Sequence, residues 1–215
     1  TQDRVIIVSN FTSTLNLLQR YCVRQKFPFL RLDGRTKADV RSKMVNEFNS
    51  DSGSDHLGKQ PFVFLLSSKS GGVGLNLIGA NRLILFDSDW NPATDRQAMA
   101  RIHRDGQLKP CFIYRLLLVG SMDEKIYQRQ ITKIGLSDSL MSNEAAKDHD
   151  VASSSDTFSQ EELRDVFGYH PNTTCLTHDL LGCACGGNGK EVQTPAEEPS
   201  KVENFTLPGF VSASK

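Results

Sequence analysis

Long apolar runs are missing from this chain. No stretch of its 215 residues approaches the ~20 consecutive apolar residues needed to cross a bilayer as a helix. The opening residues Thr1-Gln2-Asp3 carry no signal-peptide pattern and no Met, which reads as the start of a fragment. Cysteine is scarce: the five fall as Cys22 and Cys111, each alone among apolar residues, and a late cluster of three. An odd, uneven set is not a disulfide framework, and the expectation is core thiols in a reducing, intracellular compartment. Tryptophan occurs once, at Trp90, and no internal repeat is present.

A usable phosphate loop is missing too. Gly53 to Lys59 fits the first seven positions of a P-loop, but the eighth is Gln60, which has no hydroxyl for Mg²⁺. The context is also reversed, with a helix before it and a strand after it. Gly72-Val73-Gly74 fails as a dinucleotide fingerprint because Leu77 stands at the third glycine position.

The net charge of zero hides two opposite halves. Residues 1–136 hold 20 Lys+Arg and 12 Asp+Glu, a balance of +8; residues 137–215 hold 5 and 13, a balance of −8. A basic body points to an anionic partner, nucleic acid first. The plain alternative is an ordinary mixed surface.

The body alternates short apolar runs with amphipathic stretches. Strands are expected at Val5–Ser9, Phe29–Leu32, Phe62–Leu66, Leu83–Phe86 and Cys111–Leu118. Between them, Leu15, Leu18 and Cys22 share one face of a helix capped by Thr12 or Ser13, and Val40, Met44 and Phe48 form a stripe on another. Pro92 suits the first turn of a further helix, and Ser121–Ile134 reads as a last one. This alternation predicts an α/β fold, a parallel sheet covered by helices. Ser50–Pro61 reads as a loop insertion and Ser137–Ser159 as an acidic, Ser-rich linker. A capping box opens a short helix at Ser159–Phe167, and the segment from 187 to 215 reads as a disordered tail.

In open parallel sheets, ligands bind beyond the carboxyl ends of the strands. Ser9-Asn10, Asp33-Gly34, Ser67 to Gly74 and Asp87 to Asn91 all fall there. Each alone reads as a tight turn; four on one edge point to phosphate. The octet Gln97 to Arg104 follows, and helical spacing would place Gln97, Arg101 and Arg104 on one face. Guanidinium forks match phosphate oxygens, though solvated surface arginines are the bland reading. An arginine helix without a P-loop fits half of an ATP site.

These residues resemble a known family. VIIVSNF at Val5–Phe11, RLDG at Arg31–Gly34, the stretch Leu65–Pro92 and QAMARIHRDGQ at Gln97–Gln107 resemble motifs of the second RecA-like lobe of SWI/SNF-type DNA translocases. His103-Arg104-Asp105-Gly106-Gln107, FIYRLL at Phe112–Leu117, DEKIYQRQ at Asp123–Gln130 and FSQEELRDVF at Phe158–Phe167 make it most similar to the Rad-fifty-four-type recombination motor. The resemblance implies a RecA-like lobe over residues 1–136 and a small zinc-binding element within 160–186.

It further implies a nuclear, double-stranded-DNA-dependent ATPase in homologous recombination and double-strand-break repair. Its partners would be duplex DNA, a P-loop lobe and the strand-exchange recombinase filament. Arg101 and Arg104 would reach the γ-phosphate of ATP·Mg²⁺, with Gln97 in support. Gly72, Gly74 and Asn76 would lie near the nucleotide. Ser9, Asn10, Asp33, Gly34, Ser67, Ser68, Lys69 and Trp90 would line the DNA track. Trp90 reads equally well as a packed aromatic.

In the tail, Cys175, His178, Cys183 and Cys185 make a Cys₃His set suited to tetrahedral Zn²⁺, although the final Cys-x-Cys is tight. The resembled family carries a zinc element at this place; free thiols are the alternative. Two other functions stay open: the ATPase lobe of a chromatin remodeller, and a non-catalytic, zinc-stabilised interaction fragment.

Overall fold

In the computed structural model, the described residues are 3–50, 60–70, 74–142 and 160–181. Most of the expected insertion and linker, the expected tail, Gly72, Cys183 and Cys185 lie outside them. Two compact units form: residues 1–117 with 129–145, and residues 118–128 with 146–215.

The first unit is a five-stranded parallel sheet. Its strands are β1 (Val5–Ser9), β2 (Phe29–Leu32), β3 (Val63–Ser67), β4 (Arg82–Leu85) and β5 (Phe112–Arg115), in the order β2-β3-β1-β4-β5. Val8 lies between Leu66 of β3 and Leu85 of β4, and the register holds along β1. Side chains alternate between the two faces. Ile6, Val8, Phe64 and Leu66 join one core with Phe48 and Ala98, whereas Val63 and Leu65 join another with Leu15 and Cys22. The helices supplying those partners are α1 (Thr12–Gln25), α2 (Ala38–Asn49) and α3 (Pro92–Met99). The doubly covered parallel sheet is the expected α/β fold. All five residues of β3 are buried, as a strand covered on both faces requires.

Several expectations are corrected. The N-cap of α1 is Phe11, with no side-chain capping bond, because Thr12 and Ser13 lie inside the first turn. In α2 the inward stripe is Val45 and Phe48, and Val40 is 40% exposed. Strand β5 is shorter than expected and forms a sheet edge, so Phe112, Ile113 and Tyr114 are partly exposed. Helix α4 (Met122–Ser142) runs past Ile134.

The second unit contains α5 (Gln160–Val166) and α6 (Leu176–Leu181). Glu124 organises it. Its carboxylate accepts from Gly120 N–H at 2.8 Å, Thr177 N–H at 2.6 Å and Thr177 Oγ1 at 2.8 Å. It thereby satisfies an orphan N–H in the first turn of α6. Burial pushes the Glu124 carboxyl up, but these bonds outweigh it and hold the group below its ordinary value.

Candidate functional site

The sheet order decides which segments meet at the carboxyl edge. Strands β3, β1 and β4 are neighbours, so the residues after them are adjacent. The Ser9 hydroxyl donates to the Asp87 carboxylate, and the Asn10 N–H donates to the same group at 2.7 Å. Ser68 Oγ in turn donates to Asn10 Oδ1. Three strand ends are thus tied by side chains. One strand further, Asp33 forms an ion pair with Arg31 at 2.9 Å and accepts from the Arg35 N–H at 3.0 Å.

The expected DNA-track residues divide by exposure. Lys69 and Gly34 are exposed, Trp90 is 41% exposed, and Asn10, Asp33 and Ser68 are half-buried. Ser9 and Ser67 are buried, so their side chains support the edge instead of lining its surface. Asp87, absent from the expected site, holds Ser9 and Asn10 in place. An acid after an apolar run gives no hint of partners 77 and 78 positions away.

The octet is not one helical face. Helix α3 starts as expected, with Pro92 in the first turn and Asn91 Oδ1 accepting from Ala93 N–H at 3.0 Å, but it ends at Met99. Beyond it the backbone tightens: Arg101 N–H bonds to Ala98 O and Ile102 N–H to Met99 O, each spanning three residues. Ile102 is drawn into the core, and Gly106 adopts a positive φ of 96°. Gln97 is therefore an exposed helical residue, whereas Arg101 and Arg104 belong to the turn that follows.

That turn lies against the end of the Ser67–Gly74 stretch. Leu77 N–H donates to Arg101 O at 3.0 Å, and Arg104 Nη1 donates to Gly74 O at 3.0 Å. Gly74 has a φ of 86°, where a side chain would be strained. Asn76, also expected here, is exposed, and its carbonyl accepts from Asn49 Nδ2 at 2.8 Å. Arg104 is exposed. Arg101 is 7% exposed, and its buried Nη1 has no hydrogen-bond partner among the described residues. Burial pulls its guanidinium below the usual value. A buried donor left unsatisfied is costly, and in native proteins it calls for an explanation.

Comparison with known proteins fits this geometry. Residues 1–106 match the family described as Helicase conserved C-terminal domain. DNA repair and recombination protein RAD54B of Homo sapiens is 50% identical over 89% of this chain and 20% of its own length. DNA repair and recombination protein RDH54 of Saccharomyces cerevisiae (strain ATCC 204508 / S288c) is 47% identical over 91% of this chain and 19% of its own. The chain belongs to the Rad54 family. It spans about a fifth of the length of these curated relatives. A crystal structure of the C-terminal part of the Fun30 ATPase domain superposes on the Rad54-family chain with a TM-score of 0.54. It is 40% identical and covers 60% of this chain and 40% of its own.

The expected zinc ligands do not assemble in the described residues of this Rad54-family chain. No cluster of three or more His, Cys, Asp or Glu suited to a metal occurs among them. Cys175 Sγ donates to Glu124 Oε1 at 3.3 Å. Burial first, then Glu124, push its thiol up to about 11. Zinc takes a thiolate, so ligation by Cys175 would require its proton to leave. Cys22 is a core thiol as expected, whereas Cys111 is half-buried against the core; burial raises both.

Proposed function

We propose that this Rad54-family chain is one lobe of a double-stranded-DNA-dependent ATPase and translocase. It acts in the nucleus, in homologous recombination and double-strand-break repair. A partner lobe bearing the P-loop holds ATP·Mg²⁺, and this lobe presents Arg101 and Arg104 across the cleft. The observation that carries the reading is the buried Nη1 of Arg101, which has no partner among the described residues, beside the Arg104–Gly74 contact. Arginine fingers contribute roughly 10³–10⁵ in turnover, and moving them against the phosphates couples hydrolysis to lobe motion.

The carboxyl edge of the sheet is the proposed DNA track. Asn10, Ser68, Lys69 and Trp90 offer polar, cationic and aromatic groups there, while Asp33 and Gly34 extend the edge. Contacts of this kind to a sugar-phosphate backbone carry no sequence preference, as a translocase requires. The strand-exchange recombinase is the proposed protein partner, by analogy with the relatives' recombination role.

The test joins this lobe to its P-loop lobe and measures DNA-stimulated hydrolysis. Arg104→Ala is expected to abolish turnover and leave DNA affinity nearly intact; unchanged hydrolysis sinks the finger assignment. The ATPase lobe of a chromatin remodeller is the alternative reading, and the likeness to the Fun30 ATPase domain speaks for an ATPase lobe under either. Activity on nucleosomes and on recombination intermediates separates the two. Structural zinc rests on the spacing of Cys175, His178, Cys183 and Cys185, and full ligation would require Cys175 to leave Glu124. Metal analysis of the purified chain decides, and less than about half an equivalent counts against it.

A further inference from the structure

We propose that Gln107 is a positioning residue for Arg101 and Arg104, an inference that rests on the finger reading above. Its side chain joins two segments distant in sequence. Nε2 lies 2.8 Å from Ala80 O and 3.2 Å from both Ile78 O and Ile102 O. Its Oε1 accepts from the Lys109 N–H at 3.0 Å, and its own N–H donates to Arg104 O at 3.0 Å. Next to the Ile78–Ala80 carbonyls, Leu77 N–H donates to Arg101 O. The turn carrying both arginines is therefore fastened at its start by Leu77 and at its end by Gln107, each to the same segment before β4.

The chemistry requires an amide. Two amide hydrogens serve three carbonyls, so one bond is shared, and the amide oxygen takes the remaining donor. A carboxylate of the same length would set an acceptor oxygen against three carbonyl oxygens. Methionine would fill the space and make none of the bonds. Neighbouring Gly106 allows the close approach, because a Cβ there would lie 3.3 Å from Ile78 Cδ1 on a backbone of positive φ.

Small displacements of a catalytic group are expensive: about 1 Å can cost 10²-fold in rate. Loosening the staple is expected to act on turnover rather than on binding. In the two-lobed protein with duplex DNA, Gln107→Met should lower kcat about tenfold or more and leave the ATP KM and DNA affinity within about twofold. Gln107→Glu should lower kcat further.

Hydrogen exchange in the chain alone supplies a readout free of catalysis. Gln107→Met should speed exchange at the Leu77 amide about tenfold or more and leave the Leu65 and Leu66 amides of β3 unchanged. An unchanged Leu77 amide, or equal acceleration everywhere, overturns the staple. A kcat unaffected by Gln107→Met, where Arg104→Ala abolishes turnover, overturns the positioning role alone. If Arg104→Ala itself leaves turnover intact, the finger reading fails and the positioning role falls with it, whatever the exchange result says of the staple.

Discussion

The Gln130 side-chain amide donates to the Asp95 carboxylate at 2.8 Å, and both residues are buried. The same nitrogen donates to the Asp89 carbonyl. Arg115 Nη1 closes the network, lying 2.9 Å from Asp95 Oδ2 and 2.5 Å from Gln130 Oε1. Helix α4, strand β5, the first turn of α3 and the loop bearing Trp90 thereby share one set of hydrogen bonds. Gln130→Ala leaves an acceptor of Asp95 and the Asp89 carbonyl short of a donor. It is expected to destabilise the chain by about 1–3 kcal/mol in denaturant unfolding. Trp90 fluorescence should report it.

Asp95 also predicts a pH response. Burial pushes its carboxyl above the ordinary 3.8, against the lowering effects of Gln130 and Arg115. The folded state therefore takes up the proton before the unfolded state does. Across that window, stability falls as pH rises. Relative to Asp95→Asn, the wild-type chain should gain stability as pH falls through the raised folded value toward 3.8. Paired unfolding curves over that range measure the difference, and a change of opposite sign contradicts the assignment.

Arg101 should trade stability for function. Its Nη1 is buried without a hydrogen-bond partner among the described residues. Arg101→Met fills the same volume and removes the unsatisfied charge. The chain alone should gain about 1 kcal/mol or more in unfolding free energy. In the two-lobed protein the same substitution should lose DNA-stimulated hydrolysis. A loss of stability would mean that the guanidinium is held by groups other than those described.

The second unit depends on Glu124. Glu124→Ala strips the Gly120 and Thr177 donors of their acceptor at a buried position. A loss of about 1.5–3 kcal/mol is expected for hydrogen bonds to a charged group. Early loss of protection at the Thr177 amide, with the β3 amides unaffected, would place the damage in that unit.

The fold was legible because its signals are local. Strands β1 and β3 read as apolar on both faces, and Pro92 announced the start of α3. The octet misled because helical spacing says nothing of where a helix stops. Helix α3 stops at Met99, two residues before Arg101, and the three-residue bonds of Arg101 and Ile102 carry the chain into a turn. Side-chain ties were illegible for another reason. Asp87 with Ser9, Gln130 with Asp95 and Glu124 with Thr177 lie 78, 35 and 53 positions apart, and each needs the folded sheet or helix pair to meet. Helix α6 escaped notice because its first turn is capped from Glu124, not from its own neighbours.

The order of the strands sets a reach as well as a neighbourhood. Asp33 follows β2 and Asp87 follows β4, and β3 and β1 stand between them. Three gaps of about 4.8 Å make an edge of about 14 Å. Duplex DNA rises about 3.4 Å per base pair, so such an edge faces about four base pairs at once. If this edge is the DNA track proposed above, the lobe's footprint is expected to stay that short however long the DNA.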